Sequence, residues 1–121
     1  MIEPVALQAV CDVLDANPFT LQLILPRDKE RVAGCVEPAE RAMTREASML
    51  LMVTADDEPA ALVEAGEVLQ RLLLTITSCG LHYSFLHAAM ETAESRECLR
   101  ALVGSKRPPQ VLLRIASTDV M

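Results

Sequence analysis

The stretch that decides the fold is residues 70–115, QRLLLTITSCGLHYSFLHAAMETAESRECLRALVGSKRPPQVLLRI. It contains the apolar half of a long helix, a glycine stop, a short aromatic strand, an amphipathic helix, a Pro-Pro break and an apolar final strand. The boundary signals are Gly80, Thr92, Gly104 and Pro108–Pro109, and the strands are expected at 83–86 and 110–116. This order predicts α-helices packed on a short β-sheet.

Upstream of that stretch, apolar periodicity and boundary residues predict four helices and two strands. The helices are expected over 4–16, 28–36, 37–46 and 59–79, and the strands over 19–25 and 48–55. The second half of the 59–79 helix is apolar nearly all round, which is typical of a helix packed on several sides. The expected fold is therefore α+β, with an α/β sandwich as the alternative. We expect a short mixed sheet, a long central helix and flanking helices, in a single domain over 1–121.

Composition excludes several classes of function. Hydrophobic residues make up 51% of the chain, only 2% are aromatic, and the net charge is −6. A nucleic-acid partner is not expected, because phosphate backbones bind cationic surfaces and bases stack on aromatic rings. A mean hydropathy of +0.27 predicts an apolar interface between subunits. No apolar run is long enough to span a membrane, and no signal peptide is seen at the N-terminus.

The four cysteines, Cys11, Cys35, Cys79 and Cys98, lie far apart and form no CxxC pair. Their spacing predicts neither a zinc site nor a disulfide framework. Cys79 and Cys98 fall on apolar helix positions, so we expect them to be reduced, buried thiols. Reduced cysteines are typical of the cytoplasm, which is therefore the expected compartment.

Most of the chain resembles a known family in its order of motifs. The matching features are Gly66, residues 69–77, Gly80-Leu81, residues 84–86, residues 96–104 and residues 109–116. This pattern resembles the C-terminal part of the nitroreductase-like, FMN-dependent oxidoreductases, and most of all their dormancy-associated branch. The N-terminal third is similar to the middle of such proteins, so the chain is expected to be a truncated member.

The resemblance implies a homodimer in which long central helices pack across a two-fold axis, with FMN at the interface. Electrons would pass by hydride transfer from NAD(P)H to a small-molecule acceptor. The segment Ser84, Phe85, Leu86 and His87, continuing to Ala88, is the part that approaches the flavin ring edge in relatives. A backbone N–H of this segment would face the ring nitrogen that accepts hydride. Arg114 is the candidate for the flavin phosphate.

The chain departs from the family where the flavin phosphate is held. No N-terminal Arg-Ser or Arg-x-Arg motif precedes Arg27, no cation follows the last strand, and Ala116 replaces the usual glycine. Three functions therefore remain open. The first is an FMN-binding oxidoreductase. The second is a catalytically degenerate module for dimerisation, flavin sequestration or covering a partner, and the third is an interaction domain unrelated to flavoproteins.

Several single residues keep two interpretations. His87 faces a flavin or is a solvated strand-end histidine, and Arg114 pairs with an anion or extends to solvent from an edge strand. Gly66 permits a close approach of a helix or ligand, or is simply tolerated. The spacing of Cys79, His82 and His87 fits no common metal site, and the acidic residues 56–58 are expected to favour a helix start. No catalytic residue is assigned, and the acceptor and the choice of NADH or NADPH are not determined.

Overall fold

The computed structural model describes residues 2–117 and has the expected α+β class. Its helices are α1 Pro4–Ala16, α2 Lys29–Cys35, α3 Pro38–Glu46, α4 Pro59–Ser78 and α5 Ala93–Val103. Its strands are β1 Leu21–Ile24, β2 Met49–Thr54, β3 His82–Phe85 and β4 Pro109–Ala116. Short 3-10 turns follow β1 at Pro26–Asp28 and β3 at His87–Met90. Every predicted element is present, with ends shifted by a few residues.

The sheet has the strand order β1-β2-β4-β3, and each neighbouring pair is antiparallel. The prediction of a mixed sheet was therefore wrong. Helix α4 does form a crossover, after which β3 runs in the same direction as β2. However, β4 enters between β2 and β3 and pairs antiparallel with both, with Leu113 opposite Leu51 on one side and Arg114 opposite Ser84 on the other.

Two apolar cores lie on opposite faces of this sheet. Alternating residues of β2 and β4 point to each face, so β2 is largely a continuous apolar run and β4 is apolar except at Gln110 and Arg114. On the first face, Leu51 and Leu113 belong to a core with Leu72 of α4. On the second face, Leu112 belongs to a core with Leu99 of α5. The fully apolar sequence of β2 was a correct signal of burial on both sides.

Helix α4 buries one stripe, made of Ala65, Val68, Leu72 and Ile76. Residues 2–117 do not enclose its opposite side: Val63 is 64% exposed and Leu74 is 61% exposed. Packing of α4 on several sides, as expected from the sequence, therefore requires a surface beyond residues 2–117.

The predicted boundary residues work by the expected chemistry in most cases. Gly80 and Gly104 have φ of 73° and 69°, which side chains rarely adopt. The Thr92 hydroxyl accepts a hydrogen bond from Ser95 N–H at 3.0 Å and so caps α5. Asp28, the residue at which the second helix was expected to begin, makes no side-chain cap, and a 3-10 turn leads into α2 instead. No helix between residues 2 and 117 is both long and apolar enough to cross a membrane.

The cysteine predictions need correction. Cys35 and Cys98 form a disulfide, and Cys98 is exposed instead of being a buried thiol. The two residues are 63 positions apart in sequence, so spacing alone did not reveal that α2 and α5 are neighbours on the second face of the sheet. Cys79 is half-buried and outside any disulfide, as is Cys11. Because one pair of cysteines is oxidised, the cysteines no longer indicate a cytoplasmic location.

Candidate functional site

The candidate site lies where β3 stops pairing with β4. The register of the two strands runs as far as Phe85 opposite Leu113, and Leu86 N–H adds one more bond, to Leu112 carbonyl oxygen at 2.9 Å. The chain then turns away through His87–Met90. Since β4 continues back to Pro109, its edge is left without a strand partner on this side within the described chain, and a cleft forms there.

This cleft has a volume of about 270 Å³ and is mainly apolar. We call it the β4-edge cleft; it is lined by Leu69, Phe85, Leu86, His87, Met90, Gln110, Val111 and Leu112. Helix α4, the end of β3, the turn after it and the start of β4 thus contribute to one site. A mainly apolar cleft with a few polar groups is the usual form of a small-molecule site.

Three rings follow one another along β3 and the turn. The centroids of Tyr83 and Phe85 lie 5.7 Å apart in an edge arrangement, and those of Phe85 and His87 lie 5.6 Å apart and tilted. Tyr83 and Phe85 come at alternate positions and so share one side of β3, and the His87 ring follows in the turn, beside Phe85. Phe85 and His87 therefore bring ring surfaces to the cleft, while Leu86 is fully buried and contributes to its floor.

The structure divides the five predicted cofactor residues between two places. Phe85, Leu86 and His87 line the β4-edge cleft. Ser84 and Arg114 lie opposite each other on β3 and β4, and Arg114 Nε donates to Ser84 Oγ at 2.7 Å. They line a separate, smaller cleft of about 140 Å³, together with His82. Arg114 is half-buried, and it forms no ion pair among residues 2–117.

Two backbone donors of the predicted segment already have acceptors. Leu86 N–H is held by Leu112, and Ala88 N–H points to Glu40 Oε2 of α3 at 3.4 Å. That second bond is long and therefore weak. Glu40 Oε1 is buried and has no hydrogen-bond partner in the part of the chain that the structure describes. Glu40 thus couples α3 to the turn at the cleft, a contact that the sequence did not reveal.

A polar cluster surrounds Gln110, one of the residues that line the cleft. Gln110 Nε2 donates to Asp57 Oδ1 at 2.7 Å and to the Ala55 carbonyl oxygen at 2.9 Å. Arg96 reaches the same carboxylate at 3.4 Å and also the Pro109 carbonyl oxygen at 3.1 Å. The hydrogen bond from Gln110, and less strongly the Arg96 charge, hold the pKa of Asp57 below its usual range.

Asp57 was predicted only to favour the start of α4, which was incomplete. Its carboxylate makes no cap and instead joins the β2–α4 turn to β4 and α5. Gln110 was also missed as a lining residue. The available signal was a polar residue at the start of a mainly apolar strand, directly after two prolines.

The residues present fit the ring of a flavin better than its phosphate. The lining of the β4-edge cleft is apolar and aromatic, with polar groups only from His87 and Gln110, so it suits a flat heteroaromatic ring. A phosphate dianion needs several donors or cations, and Arg114 offers one guanidinium in the neighbouring cleft. Within residues 2–117 no group of three or more His, Cys, Asp or Glu side chains is arranged to hold a metal ion.

Comparison with known sequences finds relatives in Mycobacterium tuberculosis. The protein acg, provisionally assigned by its name as an NAD(P)H nitroreductase, is 36% identical over 73 residues, covering 60% of this chain and 22% of acg. The protein Rv3127 is 31% identical over 104 residues, covering 86% of this chain and 30% of Rv3127. The chain thus spans less than a third of the length of these curated relatives. No family model matches it.

Comparison with solved structures gives similar folds over nearly the whole chain. An FMN-dependent nitroreductase from Clostridium difficile has a TM-score of 0.71 at 16% identity, covering 98% of this chain and 78% of that one. Nitroreductase A from Vibrio parahaemolyticus has a TM-score of 0.69 at 14% identity, covering 98% of this chain and 59% of that one. The chain therefore has a nitroreductase-like α+β fold.

Proposed function

We propose that this chain acts as a nitroreductase-like oxidoreductase and holds a flavin ring in the β4-edge cleft. One observation carries the proposal. The segment that the resemblance assigns to the flavin edge lies at a mainly apolar cleft of a nitroreductase-like fold. A bound flavin would supply hydride transfer between NAD(P)H and a small-molecule acceptor. The protein would supply the apolar enclosure and the His87 and Gln110 contacts at its rim.

Arg114 is the proposed phosphate contact, because it lies on β4 opposite Ser84 of β3 and its Nε donates a hydrogen bond to Ser84 Oγ. One cation is a weak match for a dianion, so we expect only a modest gain from the phosphate. FMN should bind roughly tenfold tighter than riboflavin, which lacks the phosphate, the range expected of one charge-assisted bond. Arg114→Gln should lower the affinity for FMN and leave that for riboflavin unchanged. An equal loss for both flavins, or no loss, would remove Arg114 from the site.

A homodimer is the proposed assembly. Val63 and Leu74 of α4 and Val5 of α1 are exposed apolar side chains on two helices that pack against each other. Apolar side chains left exposed on packed helices favour burial against a second copy. Such a dimer would also enclose α4 on the sides that this chain leaves open.

The second candidate function is a catalytically degenerate module that dimerises, sequesters flavin or covers a partner. It is favoured by the absence of any cation from the lining of the β4-edge cleft. The third interpretation, a domain unrelated to flavoproteins, is not supported by the fold.

The activity test separates the first two functions. The purified chain is incubated with FMN and separated from free flavin by gel filtration, and its absorption spectrum is recorded. Reduction of a nitroaromatic or a quinone is then followed with NADH and with NADPH. Retained flavin with turnover supports the oxidoreductase, and retained flavin without turnover supports the degenerate module. Loss of all flavin on the column would contradict both flavin-binding proposals.

A further inference from the structure

The Cys35–Cys98 disulfide lies in a polar cleft that is distinct from the proposed flavin site. The cleft has a volume of about 290 Å³, and its lining includes both cysteines, Arg41, Glu37 and Glu94. The two cysteines differ in accessibility: Cys98 is exposed on α5, whereas Cys35 at the end of α2 is only 9% exposed. Cys98 is therefore the more accessible residue of the pair.

This disulfide is connected to the β4-edge cleft through a short path. Helix α3 begins three residues after Cys35, and Arg41 Nε of α3 donates to the Ala33 carbonyl oxygen at 3.1 Å, which holds α3 on the end of α2. From α3, Glu40 accepts the hydrogen bond of Ala88 N–H in the turn at the cleft. The disulfide thus joins α2 to α5. Helix α3 then links α2 to the His87–Met90 turn, which lines the cleft.

We propose that Cys35–Cys98 is a redox-active pair, which a dithiol reduces and whose reduction loosens α2, α3 and the His87–Met90 turn. This inference concerns the protein alone and does not depend on flavin binding. A thiolate of the dithiol attacks the sulfur of the more accessible Cys98, the bond between the cysteines breaks, and Cys35 leaves as a thiolate and takes a proton. The second thiol of the reagent then attacks the mixed disulfide. Cys98 is released as a thiol, and the reagent becomes a cyclic disulfide after giving two electrons.

The surroundings of the pair suit this order of events. Attack on Cys98 makes the less accessible Cys35 the leaving group, and the Arg41 guanidinium in the same cleft is a cation that can stabilise a departing thiolate. Glu37 and Glu94 line the same cleft and would repel a negatively charged thiol reagent. An uncharged dithiol is therefore the preferred class of reductant. Dithiothreitol is the probe of this class.

Hydrogen–deuterium exchange of the chain, before and after dithiothreitol, tests the proposal. Mass spectrometry after alkylation should show two new modified thiols, at Cys35 and Cys98. Exchange should become roughly tenfold faster in 33–46 and 87–90, the segments along the path, while α1 stays protected. Removal of the reductant and reoxidation should restore the original pattern. Resistance of the bond to dithiothreitol, or unchanged exchange in these segments, would overturn the proposal.

Two double variants complete the test. Cys35→Ser with Cys98→Ser should show the fast exchange pattern without any reductant. Cys11→Ser with Cys79→Ser keeps the pair and should respond to dithiothreitol as the natural chain does. Should the first variant fail to fold, the reduced natural chain decides the question. Uniformly faster exchange in all elements on reduction would overturn the proposal in favour of a purely structural crosslink.

Discussion

At the scale of single residues, the most instructive side chains are polar ones whose partners are distant in sequence. Gln110, Asp57 and Arg96 form one cluster from β4, the β2–α4 turn and α5. Each residue has an ordinary local explanation in the sequence, and only the fold shows that they meet. Glycines were easier to interpret, since Gly80 and Gly104 adopt the positive φ that their positions predicted.

The lowered pKa of Asp57 predicts a specific pH dependence. A carboxyl whose folded pKa is depressed stabilises the fold above its unfolded pKa, and this contribution is lost as pH falls through the folded value. The free energy of unfolding of the natural chain, minus that of Asp57→Asn, should therefore be larger at about pH 6 than at about pH 3. Urea unfolding at several pH values measures this difference.

Asp56→Asn is the matched control, because it removes a carboxylate of the same turn and leaves the bond between Gln110 and Asp57 in place. The fall in stability with pH should persist in that variant. Parallel pH profiles for the natural chain and Asp57→Asn would contradict the assigned role of Asp57.

Gly66 gives a prediction with a defined sign. A Cβ added at Gly66 would meet nothing within 4 Å, so no close approach by another part of residues 2–117 requires glycine at this position. Gly66→Ala should raise the free energy of unfolding of the monomer by about 0.5–1 kcal/mol, the cost of glycine in a helix. Gly104→Ala is the opposite control and should lower it by about 1 kcal/mol, because φ there is 69°. A destabilised Gly66→Ala monomer would show that α4 is packed differently.

At the scale of elements, much of the fold was predictable and the pairing of strands was not. The helix over 4–16 and the buried strand near 48–55 follow from local periodicity, which depends only on neighbouring residues. The insertion of β4 between β2 and β3 is a long-range event that leaves no local signal. The same reason applies to the candidate site: residues 85–87 belong to one contiguous segment that the resemblance proposed, whereas Leu69 and Gln110 join the lining of the cleft only through the fold.

The crosslink between α2 and α5 should contribute measurably to stability. Cys35 and Cys98 are 63 residues apart, so the bond restricts a long segment of the unfolded chain. Replacing both by serine should lower the free energy of unfolding by about 2–4 kcal/mol in urea titrations without reductant. The Cys11→Ser, Cys79→Ser variant should stay within about 1 kcal/mol of the natural chain. Equal stability of all three proteins would mean that the pair is not joined in solution.

At the scale of the whole molecule, the two faces of the sheet differ in how they are finished. The second face is covered by α2 and α5, which the disulfide joins. The first face is covered by α1 and α4, whose outer surface still presents large apolar side chains to solvent. The high apolar content of the sequence predicted such a surface without showing where it lies.

Self-association should depend on that outer surface. Leu74→Asp places a charge in the proposed interface and should raise the dimer dissociation constant at least about tenfold, as expected for an anchor residue. Leu25→Asp is the matched control, because Leu25 is also exposed but lies after β1 and belongs to neither α1 nor α4. Light scattering coupled to gel filtration measures both. A natural chain that is monomeric at all concentrations, or a Leu25→Asp variant that dissociates equally, would contradict the proposed interface.

Flavin titration followed by fluorescence is the most direct test of the proposed site, comparing the natural chain with His87→Trp and Ala101→Trp. His87 is an exposed residue at the rim of the β4-edge cleft, so a tryptophan there should fill the space meant for the ring. Ala101 is exposed on α5 and lines no part of that cleft. We predict saturable binding to the natural chain and to Ala101→Trp, and a loss of affinity of at least about tenfold in His87→Trp, equivalent to about 1.4 kcal/mol. Absence of saturable binding to the natural chain, or equal affinity in all three proteins, would contradict a flavin site in this cleft.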